Sequence, residues 1–169
     1  PISDNTFAVL DFTLSWQSAE ALHEERFLAR KVNPWRDLFP PGFREALEGL
    51  GPGGSARMDY EPGEALPSRD ASLLASVPAA LPVPPVVAGR MVTLERGRFY
   101  PRGLFHSLPG VFPQDARPAR VLDASEDRIV LDLNHPMAGR AFTLEARVAE
   151  VAAKASDTGG RLSCWIEEI

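Results

Sequence analysis

The chain is poor in the residues that carry most metal, redox and nucleic-acid chemistry. Of its 169 residues one is cysteine, Cys164, so no internal disulfide can form, and its three histidines, His23, His106 and His135, are scattered without metal-ligand spacing. No metal and no other cofactor is expected. Only Lys31 and Lys154 are lysines, and 18 basic against 23 acidic side chains leave a formal charge of -5. That sign gives no electrostatic reason to bind a phosphate backbone or an anionic membrane surface, so neither nucleic acid nor membrane is an expected partner. No apolar run approaches the roughly 18 residues that span a bilayer. Pro1 to Asp11 also lacks the basic and apolar regions of a signal peptide, so a cytoplasmic location is expected. What is present, 44% hydrophobic and 24% charged residues, suffices for one sizeable core or two small ones and excludes disorder, collagen and coiled coil.

Charge and proline divide the chain. Between Arg90 and Arg120 six arginines face Glu95 and Asp115, so a basic middle lies between acidic flanks. The proline-rich run Val77 to Val86 precedes it; each proline removes a backbone donor, so a boundary or exposed connector is expected there. Elsewhere the periodicity is mostly that of strands. Leu10, Phe12, Leu14 and Trp16 alternate within Thr6 to Trp16, and further strands are expected at Ser55 to Tyr60, Arg90 to Glu95, Ala119 to Leu122, Arg128 to Leu133, Ala141 to Val151 and Arg161 to Ile166. One short helix is expected, with Pro41 near its first turn, Phe43, Ala46, Leu47 and Leu50 on one face, and Gly49 and Gly51 ending it. Gly51-Pro52-Gly53-Gly54 then reads as a turn. It is no phosphate loop, because it follows a helix and lacks the Lys-Ser/Thr ending.

The segment Asn134-His135-Pro136-Met137-Ala138-Gly139, followed by the strand Phe142 to Val148, resembles the Asn-His-Pro-Leu-Ala-Gly segment of SlyD-type FKBP prolyl isomerases. Leu38-Phe39-Pro40-Pro41-Gly42-Phe43 with Glu48-Gly49 is similar to the family's stretch in which a pocket floor enters the single helix. The resemblance implies a β-rich α+β fold: an FKBP-like antiparallel sheet wrapped on one short helix, with a small β-rich insert-in-flap domain. On that reading residues 1–67 and 134–169 form the FKBP-like domain and residues 68–133 the insert. It also demands that Ala19 to Arg30 be a turn and irregular edge. His135 reads as a residue that fixes the turn before Pro136, not as an acid or base.

The resemblance implies an isomerase cleft made from Phe12, Glu24, Leu38, Phe39, Phe43, Leu66 and Leu144, although the acidic position falls on Glu24, Glu25 or neither. Where the family has tyrosine on the first strand this chain has Phe12, and where it has Ala-Tyr-Gly this chain has Ala65-Leu66-Pro67. If each missing hydroxyl supplied about 0.5 to 1.5 kcal/mol in the transition state, activity would fall roughly five- to a few-hundred-fold. Within Arg96 to Pro118 the residues Phe99, Tyr100, Leu104, Phe105 and Phe112 either fill the insert's core or form a surface for clients or a partner. Single-stranded nucleic acid is a poor fit to so few arginines. Two functions follow. One is a prolyl isomerase with weakened catalysis and chaperone activity toward unfolded or proline-containing polypeptides. The other is a catalytically degenerate binding module serving one dedicated protein partner in a larger complex.

Overall fold

A computed structural model describes residues 1–19, 21–79, 86–87, 90–106, 108–154 and 163–168. They divide into two compact units, Pro1–Pro67 with Gly139–Ile169, and Ser68–Ala138. Over the described residues the protein is β-rich, with two four-stranded antiparallel sheets, one two-stranded sheet and almost no helix.

Side-chain alternation builds the first unit. In β1 (Thr6–Gln17) Ala8, Leu10, Phe12 and Leu14 are buried on one face while Asp11 is exposed on the other. Its neighbours are the edge strand β2 (Leu22–Val32) and, on the other side, β10 (Phe142–Ala153); β3 (Ser55–Tyr60) completes the order β2-β1-β10-β3. The register puts Phe12 opposite both Phe27 and Ala146, and Leu14 opposite Leu144. Between Val9 and Leu10 the pairing shifts by one residue, the extra residue lying in β10, so that Val151 stands opposite Ala8 and Val148 opposite Leu10. The helix α1 (Phe43–Leu47) begins at Gly42, whose φ of 74° lies in the left-handed region, buries Phe43 and Leu47, and packs against β3. Tyr60 ties that strand to the start of the helix: its hydroxyl donates to the Pro41 carbonyl at 3.0 Å. Burial, with Glu64 and Glu45 nearby, pushes its pKa up to about 12.

The second unit has its own core. β4 (Leu74–Pro78), β7 (Phe99–Pro101), β8 (Pro118–Ala124) and β9 (Arg128–Asp132) form a sheet in the order β4-β9-β8-β7, and β5 (Val86–Val87) pairs with β6 (Arg90–Met91). Val77, Phe105, Ala119, Val121, Ile129 and Leu131 make the buried cluster. Asn134 closes the unit: its amide group accepts from the Asp70 backbone at 2.7 Å and donates to the Asp70 carbonyl at 2.9 Å and the Asp132 carboxylate at 2.7 Å. His135 caps the turn that follows, its Nδ1 accepting from the Met137 amide at 3.1 Å. Residues 134–138 thus group with the second unit and not with the first.

Four local expectations change. Ala19 to Arg30 is not an irregular edge, since residues from Leu22 onward form the eleven-residue β2, where Phe27 and Ala29 face inward while Glu24, Arg26 and Arg30 are exposed. An edge strand tolerates that much charge because one of its sides is unpaired. Arg90 to Glu95 is strand only at Arg90–Met91; further on, the Tyr100 hydroxyl takes the Glu95 amide at 2.9 Å and donates to the Thr93 carbonyl at 3.2 Å, replacing a ladder. Arg161 to Ile166 is strand-like only where Cys164 bridges Leu38, after which α2 (Trp165–Glu168) is helical; Arg161 and Leu162 lie outside the described residues. Val77 and Pro78 of the proline-rich run belong to β4, an edge strand that can accept proline, and residues 80–85 lie outside the described residues.

Candidate functional site

Five aromatic rings of the first unit stack into one cluster. Phe12 is fully buried at the middle of β1, and Phe27, directly opposite on β2, lies 5.0 Å away with planes 11° from parallel. Phe43 of α1 meets Phe12 at 6.2 Å, and Phe39, in the loop before the helix, meets Phe43 at 6.4 Å. Trp165 completes the cluster at 5.0 Å from Phe12, 5.7 Å from Phe27 and 6.2 Å from Phe39. Offset ring pairs of this kind contribute about 0.5–1.5 kcal/mol each beyond the area they bury.

The loop between β2 and α1 frames these rings. Asp37, a buried carboxylate, accepts from the Asn33 amide and the Arg36 guanidinium, each at 2.9 Å, and from the Ser163 amide at 3.4 Å. Next to it, Leu38 leaves its side chain half exposed and uses its backbone: its N–H donates to the Ser163 carbonyl at 2.9 Å, and its carbonyl accepts from the Trp165 N–H at 2.7 Å. A shallow cavity of about 270 Å³ lies along the same loop, lined by Trp35, Asp37, Leu38, Pro40 and Glu45 among others. What this arrangement can do is hold an extended chain, as it holds Ser163 to Trp165: an apolar, ring-lined wall stands beside one backbone donor and acceptor that lie outside any strand ladder.

The structure brings Phe12, Phe39 and Phe43 into contact. Leu144 shares their face of the sheet, since it lies opposite Leu14, two residues along from Phe12. Leu66 is buried in the same unit. Glu24 is not brought to the cluster: it pairs with Ser15 on the opposite face and forms an exposed ion pair with Arg26 at 2.9 Å. Glu25, opposite Leu14, is on the inner face but exposed. Sequence reasoning missed Phe27 and Trp165. The phase of Glu25-Phe27-Ala29 was a sufficient signal for the first; the second had none, because a single aromatic beside a one-residue bridge has no period.

The five residues of the second unit expected either to fill its core or to form a surface for clients or a partner divide. Phe105 is core at 1% exposure, Leu104 and Tyr100 pack against that core, and Phe99 and Phe112 are exposed. The Arg120 guanidinium lies 5.7 Å over the Phe99 ring. Their loop is held by Asp115, whose carboxylate takes the Arg117 guanidinium at 2.9 and 2.6 Å and whose carbonyl accepts from the Gly103 amide at 2.8 Å. Those bonds from Arg117 hold the Asp115 carboxyl down to about 2. The Arg102 guanidinium donates to the Leu133 carbonyl, and burial lowers its pKa, with the Arg117 charge adding.

Among the described residues no group of three or more histidine, cysteine or acidic side chains could hold a metal ion, and no helix is long and apolar enough to cross a membrane. No protein-family model matches the chain, and no curated protein matches it.

Proposed function

We propose that the chain is an FKBP-like prolyl cis-trans isomerase of the insert-in-flap type, with weakened catalysis, whose first unit turns X-Pro bonds and whose second holds unfolded client segments. The observation that carries the reading is the ring cluster of Phe12, Phe27, Phe39 and Phe43 beside the backbone of Leu38. The resemblance of the Asn134 to Gly139 and Leu38 to Gly49 segments supports it, as does a β-rich unit interrupted between Pro67 and Gly139 by a second unit.

The chemistry needs no nucleophile. Amide resonance sets a barrier of about 18–20 kcal/mol, and an apolar cleft lowers it by desolvating the amide while a backbone donor such as Leu38 N–H, once released from the Ser163 carbonyl, steadies one carbonyl of the substrate. Aromatic walls suit the prolyl ring, since burial of apolar area requires no hydroxyl. Weak catalysis follows from the same residues: Phe12 has no hydroxyl to offer, and the Tyr60 hydroxyl is already engaged by Pro41. Binding should therefore outlast catalysis.

A second reading is a binding module for one dedicated protein. Two observations favour it: Trp165 fills the ring cluster, and Phe99 and Phe112 stand exposed on the second unit. The two readings part in an isomerisation assay on a short prolyl peptide and in client range. An isomerase accelerates the peptide and suppresses aggregation of unrelated unfolded proteins, whereas a dedicated subunit does neither and co-purifies with one partner in fixed stoichiometry.

A further inference from the structure

Ser163, Cys164 and Trp165 lie on the ring cluster as a bound peptide would. Two backbone hydrogen bonds to a single residue, Leu38, and one from the Ser163 amide to the Asp37 carboxylate hold the segment. These contacts read main chain and not sequence, so any extended segment with one residue between donor and acceptor could make them. The side chain supplies the rest, for Trp165 is 8% exposed and stacks on Phe12, Phe27 and Phe39.

Two features distinguish this from ordinary core packing. The first is polar: Trp165 Nε1 is buried with no hydrogen-bond partner among the described residues, whereas a buried indole N–H normally finds one. The pocket fits a ring and makes no provision for the indole. The second is topological. The sheet order β2-β1-β10-β3 does not include the segment, whose regular structure is one isolated bridge and a four-residue helix. Lifting it away breaks no strand ladder.

We infer that the cleft is a receptor for an extended peptide segment that places a ring into the aromatic cluster, and that Ser163–Trp165 is its resident occupant, a self-ligand that keeps the cleft closed. The inference rests on the proposed cleft and deepens it. A client competes with residues 163–165 for the same rings, and the apparent affinity of the full chain is reduced by the fraction of molecules whose segment is bound.

The test uses a synthetic peptide of residues 163–169 carrying Cys164→Ser, so that Cys164 of the protein stays the only thiol. Added to the full chain, the peptide should displace the resident segment and speed reaction of Cys164 with an aromatic disulfide reagent at least fivefold, saturably. The same peptide, labelled, should bind in trans to a variant lacking residues 163–169, and Phe27→Ala in that variant should weaken binding at least tenfold. A proline-containing peptide should compete there and bind at least tenfold more tightly than to the full chain. If the shortened variant and Trp165→Phe both lose the fold, Trp165 is core and the inference is overturned. It is equally overturned if the shortened variant stays folded but ignores the peptide, or if Cys164 reactivity does not change. Should the peptide bind and the prolyl peptide neither compete nor be isomerised by the shortened variant, the self-ligand stands and the isomerase reading falls.

Discussion

Replacing Gly103 with alanine would place the new Cβ 2.2 Å from the Pro113 carbonyl oxygen, 2.8 Å from its carbon and 3.2 Å from the Asp115 amide nitrogen. All three are backbone atoms, so no side chain can swing aside. Restoring ordinary contact at roughly 3.5 Å means moving the returning loop by about 1 Å or more. That movement also breaks the 2.8 Å hydrogen bond from the Gly103 amide to the Asp115 carbonyl. A lost hydrogen bond of about 0.5–1.5 kcal/mol and an overpacking cost of about 1–3 kcal/mol together give roughly 2–4 kcal/mol of destabilisation. Gly110 is the control. Its φ is 77° and a Cβ there meets nothing within 4 Å, so Gly110→Ala should lose only the left-handed penalty of about 1–2 kcal/mol. Urea unfolding followed by far-UV circular dichroism, with amide exchange at Val121 and Leu131, measures both. Tryptophan fluorescence would miss the effect, because Trp16, Trp35 and Trp165 all belong to the first unit. A Gly103→Ala variant within about 0.5 kcal/mol of the parent, or less damaged than Gly110→Ala, would refute the reasoning.

Other outcomes follow from the hydrogen-bonded side chains. Tyr60→Phe should lose about 1 kcal/mol at neutral pH through the bond to Pro41; because the native hydroxyl ionises near 12 instead of 10, the parent's advantage should persist up to pH 10 and shrink as pH rises towards 12 in paired urea titrations. For Asp115 the sign reverses. Its folded pKa of about 2 lies below the usual 3.8, so its contribution is present above pH 4 and lost as pH falls through 2, and the gap between parent and Asp115→Asn should close over that interval. Asn134→Ala strands the Asp70 amide and part of the Asp132 carboxylate and should cost about 2–4 kcal/mol, read as a lower urea midpoint for the second unit. Phe99→Ser with Phe112→Ser should change stability by no more than about 0.5 kcal/mol yet weaken suppression of client aggregation several-fold, as measured by light scattering.

Sequence periodicity revealed elements with two-residue alternation and a buried face. Ser55–Tyr60 falls where expected, as do the long central strands containing Phe12 and Leu144, because one face of each is covered along its length. The helix is short enough that only Phe43 and Leu47 carry it, and both were legible at their four-residue spacing. Legibility failed at the edges. In β2 the inward phase of Phe27 and Ala29 is hidden among Glu24, Arg26 and Arg30, which an unpaired edge strand tolerates. Of the residues that the resemblance assigns to a cleft, Phe12, Phe39 and Phe43 come together, while the phase of Glu24 along β2 puts it on the opposite face. Trp165 could not have been found by spacing, since its place depends on two backbone bonds to Leu38 and on one bond between Ser163 and Asp37, which are 126 residues apart. In the second unit composition marked the Phe99 to Phe112 loop as aromatic. Only packing separates the core Phe105 from the exposed Phe99 and Phe112.

The most direct test of the isomerase reading is the rate of a proline-limited refolding reaction, and of isomerisation in a short prolyl peptide, with the full chain, a variant lacking residues 163–169 and a variant whose second unit is replaced by a short loop. The account predicts weak acceleration of both substrates by the full chain and a severalfold gain when residues 163–169 are removed. It also predicts that loss of the second unit abolishes the effect on the protein substrate while sparing the peptide. No acceleration of either substrate by any of the three, with each shown to be folded, would contradict it.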